Sequence, residues 1–192
     1  MSGDADWTTA ETTADAVSGA TVLATATLGG SNAVIDSYAW WDAFFGFVPG
    51  SMGETSVLAC LLGAAILIGS GIGSWRIMLS VTVGTFLMAT ALNAIGSATN
   101  PFFDVSPAWH FVAGGWAFGT VFMATEPVTA PASIRGHYIY GFLIGVLCVL
   151  IRVVNPAYPE GMMLSILFMN LFAPLIDYVA VQANLRRRRA RY

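Results

Sequence analysis

The chain has 192 residues, of which 56% are hydrophobic and only 10% are charged, and its formal net charge is −3. Soluble domains carry about 25% charged residues, so this composition, with a mean hydropathy of +0.70, indicates an integral membrane protein. It excludes a basic nucleic-acid-binding surface. The chain also has neither a nucleotide-binding glycine loop nor a hydrolase arrangement of nucleophile and base.

The first 55 residues differ from the rest, being polar and rich in Thr and Ala at first and aromatic towards their end. Within them, residues 15–21 have the sequence D-A-V-S-G-A-T, which resembles the acceptor motif of bacterial flavin transferases. Those enzymes join the phosphate of FMN to the hydroxyl of the last threonine, here Thr21. Gly19 and Ala20 allow close access to the backbone, and Asp15 and Ser18 offer hydrogen bonds that hold a turn. Small polar runs of this kind also occur in ordinary loops.

An aromatic run and a glycine-containing segment follow before the first apolar stretch. The aromatic residues, suited either to sheltering the isoalloxazine ring or to lying in the membrane interface, are Tyr38, Trp40, Trp41, Phe44, Phe45 and Phe47. Gly53 and Glu54, in residues 50–56, are expected to be neighbours of the flavin, while Thr55 or Ser56 is suited to capping the first helix. Because no basic stretch followed by an apolar run opens the chain, no signal peptide is expected.

Five apolar segments are long enough to cross a bilayer, which takes about 20 residues in a helix. They cover residues 56–74, 77–96, 108–125, 137–155 and 161–184. We therefore predict an all-α integral membrane protein in three parts. These are a segment outside the membrane (1–55), a five-helix transmembrane domain (56–184) and a basic tail (185–192).

The placement of the arginines predicts the orientation of these helices. The first 55 residues hold seven acidic residues and no Lys or Arg, whereas five arginines lie between residues 186 and 191. Positive charge favours the cytoplasmic side of a membrane. We therefore place the tail and the loops at Arg76 and Arg135 in the cytoplasm of a bacterium, and residues 1–55 outside its inner membrane. Arg152 is the exception, and we expect it to extend to the outer interface of the bilayer.

Several residues inside the segments are expected to serve packing. Cys60 and Cys148 lie singly in different segments, without the spacing of a metal or cluster site. His110 and His137 also lack a ligand partner three or four residues away, so no metal site is predicted. Glycine pairs one helical turn apart allow helices to approach closely; they are Gly69/Gly73, Gly115/Gly119 and Gly141/Gly145.

Two carboxylates in or beside the apolar segments predict an ion path. Asp177 lies in the fifth segment, and its spacing from Asn170 and Pro174 places all three on one helix face. Pro174 removes the hydrogen bond to the Asn170 carbonyl, so this face offers oxygen ligands suited to sodium. Alternatively, Asp177 reaches the cytoplasmic interface or pairs with a cation of a neighbouring subunit. Glu126 ends the third segment and is the second candidate, because a helix C-terminus disfavours an unpartnered negative charge.

Six short motifs, in order along the chain, resemble the B subunit of the sodium-translocating NADH:quinone oxidoreductase (Nqr). They are G-S-M-G-E-T-S (50–56), W-R-I-M (75–78), F-M-A-T-E-P-V (122–128), R-V-V-N-P (152–156), P-E-G-M-M (159–163) and N-L-F-A-P-L-I-D (170–177). The related D subunit of the Rnf complex shares the S-G-A-T, G-E-T-S and P-E-G elements, and the last motif favours Nqr. The family subunit has about ten spans, so the chain resembles its C-terminal half. Glu126 stands where the family usually has Asp.

The resemblance implies one half of a urea-transporter-like fold and a role in a redox-driven sodium pump. Electrons from NADH-derived flavins would reach FMN on Thr21 and pass toward ubiquinone, with a further flavin such as riboflavin in the complete complex. In the family, the residues matching Asp177 and Glu126 are implicated in sodium transfer. The implied partners are other membrane subunits, a flavin transferase, ubiquinone, sodium and the bilayer. Quinone contacts lie largely in the other half, so no quinone site is assigned.

Other functions stay open on the sequence alone. An Rnf-type subunit would pass electrons between ferredoxin and NAD. A channel or transporter half would bind a small solute near the midplane of the membrane, without flavin. A purely structural membrane subunit would carry its S-G-A-T run by chance.

Overall fold

The computed structural model describes residues 21–51, 53–97, 100–155 and 159–189, and within these ranges it is helical, without strands. The elements in chain order are α1 (Val22–Ser37), α2 (Trp40–Phe45), α3 (Val57–Gly69), α4 (Trp75–Ile95), a 3-10 turn (Pro101–Asp104), α5 (Pro107–Val112), α6 (Trp116–Phe118), a π-helical turn (Gly119–Met123), α7 (Ile134–Val154) and α8 (Met162–Arg189).

Three helices of the described chain, α4, α7 and α8, are long and apolar enough to cross a membrane. They confirm the predicted segments 77–96, 137–155 and 161–184. The segment predicted at 56–74 forms a helix of only 13 residues, because the chain turns at Ser70 and Gly71, where φ is +74°. The prediction of five continuous spanning helices is therefore met by three.

The segment predicted at 108–125 is broken in the middle. Helix α5 ends at Ala113 with an extended backbone, and Gly114 adopts a φ of +63°, which a residue with a Cβ rarely accepts. The chain becomes helical again at Trp116 and continues through the π-helical turn. The turn therefore lies inside a continuous apolar run, and the two adjacent glycines are its only signal in the sequence.

Helices α4 and α7 form the centre of the fold and pack backbone against backbone. A Cβ on Gly145 would overlap the Val81 carbonyl oxygen, and one on Gly141 would lie 2.7 Å from the Ile77 carbonyl oxygen. Gly84 of α4 likewise faces the backbone of α7. The prediction that Gly141 and Gly145 serve close helix contact is confirmed.

The other two glycine pairs behave differently from the prediction. A Cβ on Gly69 would meet nothing within 4 Å, and Gly73 lies past the end of α3, against its own neighbour Leu67. Gly119 packs on Met162 of α8, whereas Gly115 faces two carboxylates. Only spacing inside a continuous helix places two glycines on one contact face, and the broken segments do not supply it.

Helix α1 was not expected in the polar N-terminal part of the chain. Its apolar residues are spaced so that Val22, Leu23, Ala26 and Val34 become buried, and it bends at Gly30, where φ is +65°. The bend brings α1 close to the carbonyl oxygen of Pro101. Burial of this stripe, rather than high intrinsic helix propensity, holds α1 against the rest of the fold.

Cys60 and Cys148 are both buried and not in a disulfide. The prediction that they are small residues of the core is confirmed. Helix α8 continues as one helix to Arg189 and so includes residues 185–189 of the predicted basic tail.

We expect Gly145→Ala to destabilise the protein by roughly 1–3 kcal/mol, the usual cost of overpacking a dense core. The added methyl group meets main-chain atoms of α4, which cannot move aside as a side chain would. Thermal unfolding in detergent measures the change. Gly69→Ala is the matched control, since its methyl group points into open space; equal stability of the two variants would contradict the packing argument.

Candidate functional site

Thr21 is the N-cap residue of α1. Its backbone is extended, its Oγ1 accepts a hydrogen bond from the Ala24 N–H at 3.2 Å, and its carbonyl oxygen accepts one from the Thr25 N–H at 3.0 Å. The first amides of a helix have no partner within it and carry a partial positive charge. The hydroxyl therefore lies where a phosphate group is electrostatically favoured. The other motif residues, Asp15, Ser18, Gly19 and Ala20, lie outside the described residues.

A cavity of about 540 Å³ opens beside Thr21, within the range of roughly 300–1,000 Å³ that small-molecule sites occupy. Its lining comes from the start of α1, the loop before α3, the break after α5 and the turn before α8. The lining residues are Thr21, Val22, Leu23, Val48, Pro49, Gly50, Ser51, Glu54, Thr55, Val112, Gly114 and Glu160.

The structure brings Glu54 to the same cavity as Thr21, across more than 30 residues of sequence. Gly53 is not among the lining residues; it has a φ of +90° and open space around its Cβ position. Ser56, not Thr55, caps α3, accepting a hydrogen bond from the Ala59 N–H at 3.3 Å.

Glu160 also lines the cavity and was missed by the sequence analysis as a site residue. It accepts a hydrogen bond from the Gly115 N–H at 2.9 Å through Oε1. A Cβ on Gly115 would lie 2.5 Å from Glu54 Oε2 and 3.2 Å from Glu160 Oε1, so the two carboxyl groups are close neighbours. The only available signal was the P-E-G motif itself, which says nothing about what its carboxylate contacts.

Burial raises the pKa of the Glu160 carboxyl above its ordinary value, and the negative charge of Glu54 acts in the same direction. The positive charge of Arg152 and the Gly115 N–H oppose this rise without cancelling it. Because burial penalises the charged form, Glu160 takes up a proton more readily than an exposed glutamate.

Arg152 does not extend to the membrane interface, contrary to the prediction. It is fully buried, with none of its surface exposed. Its guanidinium donates to the His110 carbonyl oxygen at 2.8 Å and to the Ala113 carbonyl oxygen at 2.9 Å. The broken helix leaves these carbonyls without intrahelical partners, and a buried arginine is a strong donor for them. The prediction failed because it assumed an unbroken third helix.

None of the residues of the aromatic run lines the cavity. Trp40 and Phe44 stack on each other with ring centroids 5.4 Å apart, and the Trp40 indole N–H donates to the Ala108 carbonyl oxygen at 3.2 Å. Trp41 and Phe47 are 63% and 81% exposed. Of the two roles considered, this exposure fits an interfacial belt rather than a shelter for a flavin ring.

A second cavity, of about 510 Å³, contains the predicted ion-path residues Asn170 and Asp177. The other lining residues belong to α8 and to the loop between residues 127 and 132: Pro127, Val128, Thr129, Ala130, Ala132, Ala173 and Pro174. Glu126 is not in the lining, but its Oε2 accepts a hydrogen bond from the Thr129 hydroxyl at 2.8 Å. The structure thus groups the three predicted residues in one region.

Asp177 of α8 accepts hydrogen bonds from the two residues that come just before α7, one of which, Ser133, is the N-cap of that helix. Its Oδ2 accepts from the Ala132 N–H at 2.7 Å, and its Oδ1 accepts from the Ser133 N–H at 3.0 Å and the Ser133 hydroxyl at 2.6 Å. Asn170 is held as well, its Oδ1 accepting from the Tyr140 hydroxyl. None of the alternatives considered for Asp177 foresaw hydrogen bonds to the residues that precede another helix.

Comparison with known proteins places these features in a family. Residues 1–186 match the family described as NQR2, RnfD, RnfE. The chain belongs to the NQR2, RnfD, RnfE family.

Curated relatives match this chain along its whole length. The chain is 58% identical over 191 residues to the B subunit of the Na(+)-translocating NADH-quinone reductase of Chromohalobacter salexigens, covering 100% of itself and 46% of that protein. It is 53% identical over 196 residues to the subunits of the same name from Yersinia pestis and Klebsiella pneumoniae, covering 46% and 47% of them. The chain therefore spans about half the length of these relatives. The resemblance to the B subunit of Nqr is confirmed.

We expect Arg152→Met to destabilise this family member by roughly 3–5 kcal/mol, the cost of removing one partner from a buried charged network. The carbonyls of His110 and Ala113 lose their donor, and Glu160 loses the positive charge that lowers its pKa. Thermal unfolding in detergent measures the effect, and Arg135→Met, at an exposed position, is the control. An Arg152→Met protein as stable as the control would refute the proposed bracing of the break.

Proposed function

We propose that this chain is a membrane subunit of a redox-driven sodium pump and carries FMN as a phosphoester on Thr21. The observation that carries the proposal is the position of the Thr21 hydroxyl, at the N-terminus of α1 and on the wall of the 540 Å³ cavity. The family and the printed names of the relatives support the same class of complex. Without a cavity beside Thr21, the acceptor motif alone would not have supported the attachment of FMN.

The residues present fit a covalently held flavin phosphate. Esterification replaces the hydroxyl hydrogen of Thr21 and leaves Oγ1 in place, so the oxygen can still accept from the Ala24 N–H. The unpaired amides in the first turn of α1, at Val22 and Leu23, are positioned to donate to phosphate oxygens. When bound, FMN supplies the reversible electron transfer, and the protein fixes its position and its potential.

The wider role follows from the same proposal. Electrons enter from a flavoprotein partner that oxidises NADH and leave toward ubiquinone, with a further flavin such as riboflavin elsewhere in the complex. The chain lies in the inner membrane of a bacterium among other membrane subunits, with Thr21 on the outer side and the arginine tail in the cytoplasm. A flavin transferase attaches the FMN, and the Gly19 and Ala20 positions of the motif give it access to the backbone.

Sodium handling is assigned to the second cavity. Asp177, Asn170 and the nearby Glu126 offer carboxylate and amide oxygens, the ligands that hard cations prefer. The oxygens of Asp177 are already used by the Ala132 and Ser133 donors. A cation can therefore gain Asp177 as a ligand only if the loop before α7 releases it, which makes this loop the moving part of the site.

The first test is flavin fluorescence in a denaturing gel, after co-expression of the chain with a bacterial flavin transferase. We expect a fluorescent band that Thr21→Asn abolishes, because asparagine preserves the N-cap but cannot form the phosphoester. Thr27→Val, a similar loss of hydroxyl on the same helix, should remain fluorescent. A dark wild-type band, with the transferase active on another acceptor, would reject the flavin and leave a channel-like or scaffolding half.

The sodium assignment is tested by Asp177→Asn in membranes that contain the assembled complex. The concentration of Na⁺ giving half-maximal quinone reduction should rise about tenfold, equivalent to about 1.4 kcal/mol of binding, with the flavin band unchanged. Asp104→Asn removes an exposed carboxylate elsewhere and should leave the sodium dependence as it is. Identical sodium curves for Asp177→Asn and the wild type would remove Asp177 from the ion path.

A further inference from the structure

The cavity of about 540 Å³ beside Thr21 has a second polar feature, which the proposed attachment of FMN to Thr21 does not use. In the lining that also contains Thr21, the carboxyl groups of Glu54 and Glu160 are close neighbours. They come from distant parts of the sequence, one from the loop before α3 and the other from the turn before α8. Glu54 was expected near the flavin from the segment 50–56, whereas nothing in the sequence linked Glu160 to the motif of residues 15–21.

The position of this pair is fixed by the backbone around it. Glu160 is tied to the Gly115 N–H, and side chains at Gly114 and Gly115 would collide with the two carboxyl groups. A Cβ on Gly114 would lie 2.5 Å from Glu160 Oε2. The two glycines at the break in the third segment therefore leave room for the two carboxyl groups. Arg152 stabilises the same break through its hydrogen bonds to the carbonyl oxygens of His110 and Ala113.

We propose that Glu54 and Glu160 face the flavin and position it, accepting hydrogen bonds from N–H and O–H donors of its ring or ribityl chain and lowering its reduction potential. This rests on the proposed attachment of FMN to Thr21. The two residues are positioning residues, since the electrons reside on the flavin itself.

Size and charge both favour a flavin over a metal ion as the group that the pair faces. A cavity of about 540 Å³ is far larger than a lone cation needs, and one wall carries the only threonine of the acceptor motif. The charged groups around Glu160 are Glu54 and the buried Arg152, with the Cys148 thiol also in range of its field. Arg152 already supplies the fixed positive charge that an added cation would bring.

The electrostatic consequence has a definite sign. Reduction adds electrons to the flavin, and negative charge beside it makes that addition less favourable. Replacing Glu160 by glutamine removes ionisable charge while keeping an oxygen that accepts from the Gly115 N–H. The reduction potential of the attached flavin should therefore rise. We expect about a tenfold change in the equilibrium constant for reduction, about 30 mV for a two-electron couple.

The experiment is a redox titration of the flavin absorbance of the full chain, loaded by a flavin transferase and purified in detergent. The variants are Glu160→Gln, Glu54→Gln and the double variant, with Asp36→Asn as a carboxyl-to-amide control at an exposed site on α1. Glu54→Gln leaves the Gly115 hydrogen bond untouched, so it decides the matter if Glu160→Gln folds poorly.

A higher potential in the pair variants, with the control unchanged, supports the inference. A fluorescent flavin band in every variant with one common potential overturns it, while the attachment to Thr21 stands. Absence of flavin from the wild-type chain rejects the proposed function itself, and the inference with it.

Discussion

The fold depends on how it satisfies the backbone at the break between α5 and α6. A helix interrupted inside a membrane domain exposes carbonyl and amide groups that lipid cannot hydrogen-bond. Arg152 supplies donors to the carbonyls of His110 and Ala113, and Glu160 supplies an acceptor to the amide of Gly115. The two side chains flank the turn before α8, so a single short segment of sequence stabilises both sides of the interruption.

This arrangement also explains why a cavity can exist so close to the core. Helices α4 and α7 contact each other through glycines, so little side-chain volume lies between them. The centre of the fold is therefore densely packed. The broken segment packs against this centre, with the Trp116 indole N–H donating to the Thr85 hydroxyl at 2.9 Å. The cavity of about 540 Å³ lies outside this tightly packed centre, and the start of α1 and the loop before α3 form part of its lining.

The sequence predicted which kinds of residue form the helices and the candidate sites, but not how these residues are arranged in space. Composition and hydropathy predicted a helical membrane protein, and three of the five segments are continuous helices. The 108–125 segment was wrong as a single helix because hydropathy averages over Gly114 and Gly115, whose backbone conformation decides the turn. Helix α1 was missed because its buried stripe gains stability only from partners distant in sequence. Arg152 and Glu160 were misjudged for the same reason, since their partners are backbone groups freed by an unforeseen break. The structure does bring Thr21 together with Glu54, and Asn170 with Asp177, as motif and spacing indicated.

Helix α7 joins the two cavities. Asp177 accepts hydrogen bonds from Ser133, the N-cap residue of α7, and Arg152, in its last turn, stabilises the break beside the cavity of about 540 Å³. Its 21 residues correspond to about 30 Å at 1.5 Å per residue. Two unit charges that far apart interact by only about 0.5 kcal/mol at an effective dielectric constant of 20. If the proposed sodium and flavin sites are occupied, direct attraction or repulsion between an ion at one end and an electron at the other is thus too weak to link them strongly. Helix α7 packs closely on α4 along its glycines, so we expect any stronger link between the two sites to be mechanical and to pass through this helix pair.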